Sequence, residues 1–71
     1  MIFSHNRLYI FYNPDSNIKH KLVVLRVKKL NKAKQIIQLR KNETIWTKDG
    51  FAPNIVKAIF CNDIGEKEEI T

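Results

Sequence analysis

The choice between a sheet and a helical fold rests on Leu22-Val-Val-Leu-Arg-Val27. Both periods fit residues 18–30, which contain this run. In a helix Val23 and Val27 share a stripe, whereas in a strand Val23, Leu25 and Val27 share a face. The run is dense in β-branched side chains, which lose rotamer freedom in a helix and pack well on a pleated surface. It is therefore predicted to be a strand.

Similar reasoning extends the sheet in both directions. The segment Arg7-Leu-Tyr-Ile-Phe-Tyr12 is aromatic and β-branched, and Asn13-Pro-Asp-Ser-Asn17 follows it with the residues of a tight turn. Polar turns are predicted at residues 31–34 and 41–42. Two more strands are predicted at Gln35–Arg40 and Glu43–Thr47.

The pattern changes period after Lys48-Asp-Gly50. Apolar residues recur at helical spacing between Asn54 and Ile64, with Pro53 suited to the first helical position and Gly65 to the C-terminal end. The chain is therefore expected to be an α+β protein with a four-stranded antiparallel β-meander, open or closed into a small barrel, and a C-terminal helix. Residues 1–65 are expected to form one globular domain, and residues 66–71 an acidic, mobile tail.

Composition excludes several classes of function. The chain has 71 residues, of which 44% are apolar, so it can bury one modest core but no deep two-domain cleft. One Cys cannot form an intramolecular disulfide, and the spacing of His5, His20 and Cys61 does not match a metal site. We therefore expect a non-enzymatic protein without metal or cofactor. No apolar run is long enough for a leader or a membrane span, which predicts a cytoplasmic or other intracellular location.

Charge is unevenly distributed along the chain. The formal net charge is +6, but residues 17–41 contain nine Lys and Arg and no Asp or Glu, whereas residues 63–71 contain four acids and one Lys. A field of this kind attracts polyanions and accelerates their association.

The meander predicts a sheet with one face uncovered, because a single helix covers only one side. Aromatic rings on such a face can stack on nucleic-acid bases while cations contact phosphates. The candidate stacking residues are Tyr9, Phe11 and Trp46. The candidate phosphate contacts are Arg26, Lys28 and Arg40, with Lys19, Lys21, Lys29, Lys32 and Lys34 as a wider rim.

These residues predict a small basic protein that binds nucleic acid, either RNA or single-stranded DNA, or a ribonucleoprotein. The alternative is a small regulator or inhibitor that docks on an acidic surface of a protein partner. Both functions use the same cations. They differ in their response to salt, because phosphate neutralisation makes affinity fall steeply as salt rises.

One resemblance implies a different fold. The segment Leu8-Tyr-Ile-Phe-Tyr-Asn-Pro14 is similar to the opening of thioredoxin-like arsenate reductase relatives, in which a strand and Asn-Pro lead into a redox Cys at a helix start. Ser16 occupies the position of that Cys. The resemblance covers about 25 residues and implies a βαβ thioredoxin-like fragment in which residues 18–30 are helical.

Overall fold

The structure, a computed structural model, describes residues 3–14, 19–42 and 55–70. These ranges contain four strands and one helix. Their bounds are β1 Arg7–Tyr12, β2 Leu22–Arg26, α1 Leu30–Asn42, β3 Ile55–Cys61 and β4 Lys67–Glu69.

The four strands form one antiparallel sheet in the order β2-β1-β3-β4. The α+β class and the four-stranded antiparallel sheet with one helix are therefore confirmed. The sheet is open, because β2 and β4 are its edges and do not pair with each other. Two parts of the prediction were wrong: the order is not that of a meander, and the helix lies between β2 and β3 in the chain rather than at its end.

Strand β1 is the centre of the core. Leu8 and Ile10 are completely buried, and they point to the face that α1 covers. Leu8 lies opposite Leu25 on β2 and Phe60 on β3, while Ile10 lies opposite Val23 and Ala58. Val23, Leu25 and Val27 all pack in or against this core, as the strand prediction for their segment requires.

Strand β2 confirms the prediction for Leu22-Val-Val-Leu-Arg-Val27, since Leu22–Arg26 pair with β1 over their whole length. The alternative thioredoxin-like βαβ fragment is wrong, because it requires a helix over residues 18–30. The β-branched side chains gain more from cross-strand packing against β1 than from a helical stripe.

Leu30–Asn42 form helix α1. The prediction of a turn at residues 31–34, a strand at Gln35–Arg40 and a turn at residues 41–42 was therefore wrong. The adjacent Ile36 and Ile37 suggested a strand, but the segment is otherwise rich in good helix formers and contains no Gly or Pro. Leu30, Ala33 and Ile37 follow helical spacing and face the core. Tertiary burial of this row decides the conformation.

Strand β3 replaces the helix predicted between Asn54 and Ile64. The sequence of β3 is apolar except for Lys57, and such a run cannot be distinguished from a helix segment by periodicity alone. In β3, Ala58 and Phe60 face the core, while Ile59 and Cys61 lie on the opposite face of the sheet.

The turn after β3 returns the acidic segment to the sheet. The Asn62 side-chain Oδ1 accepts hydrogen bonds from the backbone N–H groups of Ile64 at 3.1 Å and Glu66 at 2.8 Å. Gly65 has a φ of 86°, a conformation that favours glycine. Lys67–Glu69 then pair with β3, and Ile70 packs against the core. Lys67–Glu69 form an edge strand although all three are charged, because backbone pairing does not require apolar side chains. The mobility expected of residues 66–71 stays a prediction.

Some predictions concern residues outside the described ranges. They are the strand at Glu43–Thr47, which includes Trp46, the helix start at Pro53, and the part of the first turn from Asp15 to Asn17.

The helical assignment of residues 30–42 gives opposite expectations for two neighbouring apolar residues. Ile37 is 3% exposed, whereas Leu39 is 67% exposed. Ile37→Ala is expected to lower the free energy of unfolding by about 2–5 kcal/mol, because it leaves a cavity in the core. Leu39→Ala is expected to change it by no more than about 0.5 kcal/mol. Urea unfolding of both variants measures the difference, and equal losses would contradict the helix.

Candidate nucleic-acid interface

The predicted stacking face is the side of the sheet opposite α1. Tyr9 lies at its centre, in register with Val24 and Ile59, but only 4% of its surface is exposed. The Phe3 ring packs edge-on against it at 4.7 Å, and the Tyr9 hydroxyl accepts a hydrogen bond of 2.6 Å from the Ser4 N–H. Tyr9 is therefore a packed structural residue rather than a ring presented for stacking.

Of the other two predicted stacking residues, Phe11 is described by the structure and Trp46 is not. Phe11 is half-buried on the same sheet face, between Leu22 and the exposed Lys57. Trp46 lies outside the described residues. Of the two predicted rings that the structure describes, Phe11 is the one that is partly accessible; Phe3, which was not predicted, is also half-buried on this face.

The three predicted phosphate contacts lie in three different places. Arg26 is exposed on the sheet face opposite α1 and lies in register with Arg7, so two like charges are neighbours there. Lys28 is exposed in the link between β2 and α1. Arg40 is half-buried on α1 and donates a hydrogen bond of 2.9 Å to the Tyr12 hydroxyl. The structure thus does not bring the three together, and Arg40 has a structural contact.

The predicted rim divides into two groups. Lys19 is exposed and Lys21 half-buried in the connection between β1 and β2. Lys29, Lys32 and Lys34 are exposed in the link before α1 and on α1 itself. Together with Lys28 and Lys41, the second group forms a set of five exposed lysines in and beside one element.

The exposed side of α1 has an ordered pattern. We define the outer face of α1 as its exposed residues, which are Asn31, Lys32, Lys34, Gln35, Gln38, Leu39 and Lys41. A helix turns about 100° per residue, so the three amides lie along the line that points away from the core. Lys34 and Lys41 lie on one side of this line, and Lys32 and Leu39 on the other.

Acidic residues are segregated from this surface along the chain. Among the described residues, all four carboxylate side chains belong to the β3–β4 hairpin, and they are Asp63, Glu66, Glu68 and Glu69. The first turn of α1 contains no acidic residue, although Lys28, Lys29 and Lys32 stand at its positive end. Cations at a helix N-terminus are unfavourable because they oppose the macrodipole. The start of α1 therefore lacks the stabilisation that acidic side chains in its first turn would provide.

A cavity of about 380 Å³ lies between the start of α1 and the β3–β4 hairpin. Leu30, Phe60 and Asn62 line it together with two cations and two carboxylates. The charged residues are Lys28, Lys67, Glu66 and Glu68. Because the charges of its lining balance, the cavity does not select a ligand of either sign.

The described residues offer little support for a reactive thiol, a metal site or a membrane-spanning helix. Cys61 is buried, and its Sγ lies 3.9 Å from the Phe3 carbonyl oxygen. No group of three His, Cys, Asp or Glu within residues 3–14, 19–42 and 55–70 could hold a metal ion. In the same ranges, no helix combines the length and apolar character needed to cross a membrane.

Sequence reasoning missed the amides of the outer face and Lys41. The strand prediction for Gln35–Arg40 placed Gln35 and Gln38 on opposite faces of a sheet, so their common line was hidden. The spacing of Leu30, Ala33 and Ile37 is the signal that could have revealed it, since it fixes which side of the helix is buried.

The chain matches no protein-family model, and neither a curated protein nor a solved structure is significantly similar to it.

Two adjacent cations on α1 provide a test of this geometry. Arg40→Gln is expected to lower the free energy of unfolding by about 1 kcal/mol, because it removes the hydrogen bond to Tyr12. Lys41→Gln is the matched control, since Lys41 is exposed; it is expected to change stability by less than about 0.5 kcal/mol. Urea denaturation measures both variants. A larger loss for Lys41→Gln would contradict the assigned orientation of α1.

Proposed function

We propose that this chain is a non-catalytic nucleic-acid-binding protein that uses the outer face of α1 and the lysines leading into it. The observation that carries the proposal is the set of five exposed lysines, at positions 28, 29, 32, 34 and 41, on a segment without a carboxylate. Phosphate backbones are the polyanions that such a surface fits, because each contact releases condensed counterions.

The unfavourable start of α1 supports the same proposal. An exposed helix commonly gains stability from Glu and Lys side chains spaced four residues apart. Here the lysines have no ion pair with any residue of the described ranges. A partner that brings its own negative charge would complement both the lysines and the helix dipole.

The sheet face opposite α1 is a weaker candidate for this binding. Its central ring, Tyr9, is covered by Phe3, and Arg7 directs its guanidinium to the backbone carbonyls of His5 at 3.3 Å and Asn6 at 3.1 Å. Besides Lys67, whose ammonium lies 5.6 Å from the centroid of the Phe3 ring, the exposed cations of this face are Arg26 and Lys57. Substitution of Arg26 and Lys57 is therefore a suitable control for substitution of two lysines of α1.

The second candidate function is docking on an acidic protein surface. It is favoured by Leu39, which is 67% exposed among the lysines of the outer face and could serve as an apolar anchor. A protein partner predicts a shallower salt dependence than a nucleic acid and a fixed stoichiometry.

The decisive experiment measures the affinity for a labelled mixed-sequence duplex, a single-stranded DNA and a single-stranded RNA by fluorescence anisotropy at several salt concentrations. The variant Lys34→Gln/Lys41→Gln removes two charges from α1. It is expected to reduce the slope of log affinity against log salt on the duplex by about 2, since each phosphate contact contributes about 0.9.

The matched control is Arg26→Gln/Lys57→Gln, which removes the same charge from the opposite sheet face. It is expected to leave the slope within about 0.5 of the unmodified protein. A larger effect of the control than of the α1 variant would move the interface to the sheet. Absence of binding to all three polymers at low salt would overturn the proposed function and direct attention to an acidic protein.

A further inference from the structure

The middle of the outer face of α1 carries three amide side chains in one line. Asn31, Gln35 and Gln38 are spaced at four and three residues, and all three are exposed. Residues with this spacing lie above one another on a helix surface. We call these three residues the amide ridge.

The neutral amide ridge has lysines on both sides. Lys34 and Lys41 flank it on one side and Lys32 on the other, while the side of the helix that faces the core includes Leu30, Ala33 and Ile37. The ridge can therefore approach a surface closely while the lysines reach to both sides. A carboxylate in the ridge would be repelled by phosphates, and α1 contains none.

Building on the proposed function, we propose that the amide ridge reads base edges in the major groove of duplex DNA. Each Asn or Gln amide has both a donor and an acceptor, and it can form a bidentate pair with adenine N6 and N7. The flanking lysines contact the phosphates on the two sides of the groove, which positions the helix without reading sequence.

The dimensions fit this arrangement. A helix with its side chains is about 10–12 Å wide, and the major groove of B-form DNA is about 12 Å wide. From residue 31 to residue 38 the helix rises about 10 Å, which corresponds to about three base pairs. The major groove of duplex RNA is too deep and narrow for side chains to read, so the ridge favours DNA.

The proposal is tested by selection from a pool of duplex DNA with a random central region, followed by sequencing of the bound fraction. The unmodified protein is expected to enrich a short motif of about three base pairs that is rich in A·T. Changing one preferred A·T pair to G·C is expected to lower the affinity about 5-fold to 100-fold. Replacing the preferred adenine by 7-deazaadenine removes the N7 acceptor and is expected to weaken binding similarly.

The test variant is Asn31→Ala/Gln35→Ala/Gln38→Ala, whose sites are exposed and whose alanines favour helix, so circular dichroism is expected to match the unmodified protein. It is expected to lose the enriched motif. The control Lys57→Gln is expected to retain it.

The outcomes separate this proposal from the proposed function. Duplex binding without any enriched motif, the same motif from the amide variant, or a preference for single-stranded RNA would overturn the role of the ridge while leaving nucleic-acid binding in place. No binding to any polymer would overturn both.

Discussion

The pairing of β1 with a strand on each side fixes the arrangement of the rest of the structure. Because β1 lies between β2 and β3, Leu8 and Ile10 are buried against both neighbours, and the connection from β2 to β3 has to pass across β1. Helix α1 lies in that connection and covers the face that carries Leu8 and Ile10. On the opposite face, the residues that the structure describes include no helix, and Phe3 covers Tyr9 there.

The position of α1 determines what the basic segment can do. The residues of α1 that face the sheet are part of the core, so the lysines and amides between them have to face outward. The positive end of the helix dipole and the lysines around it have no carboxylate in the first turn to offset them. The β3–β4 hairpin holds the acids of the described residues, and its Glu66 and Glu68 line the same cavity as Lys28. Positive charge is thus concentrated at the start of α1, where the proposed polyanion would offset it.

The sequence allowed the alternating strands to be predicted but not the elements with ambiguous periods. Strands β1 and β2 were accessible because one of their faces is more apolar than the other. The sequence predicted a strand where α1 lies and a helix where β3 lies. Ile36-Ile37 resembles part of a strand, while the apolar run of β3 resembles a buried helix. The excess of cations could be read from composition, but its location on a helix depended on tertiary burial of Ala33 and Ile37. The amide ridge followed only after that burial was known.

Contact between the outer face of α1 and nucleic acid is the interaction on which the proposed function depends. Its most direct test is a two-dimensional NMR titration of the ¹⁵N-labelled protein with a mixed-sequence DNA duplex at low salt. We expect the amide resonances that shift to belong to residues 28–41, with the largest changes in the side-chain amides of Asn31, Gln35 and Gln38. Shifts concentrated on Arg7, Phe11 and Lys57, with α1 unchanged, would contradict it.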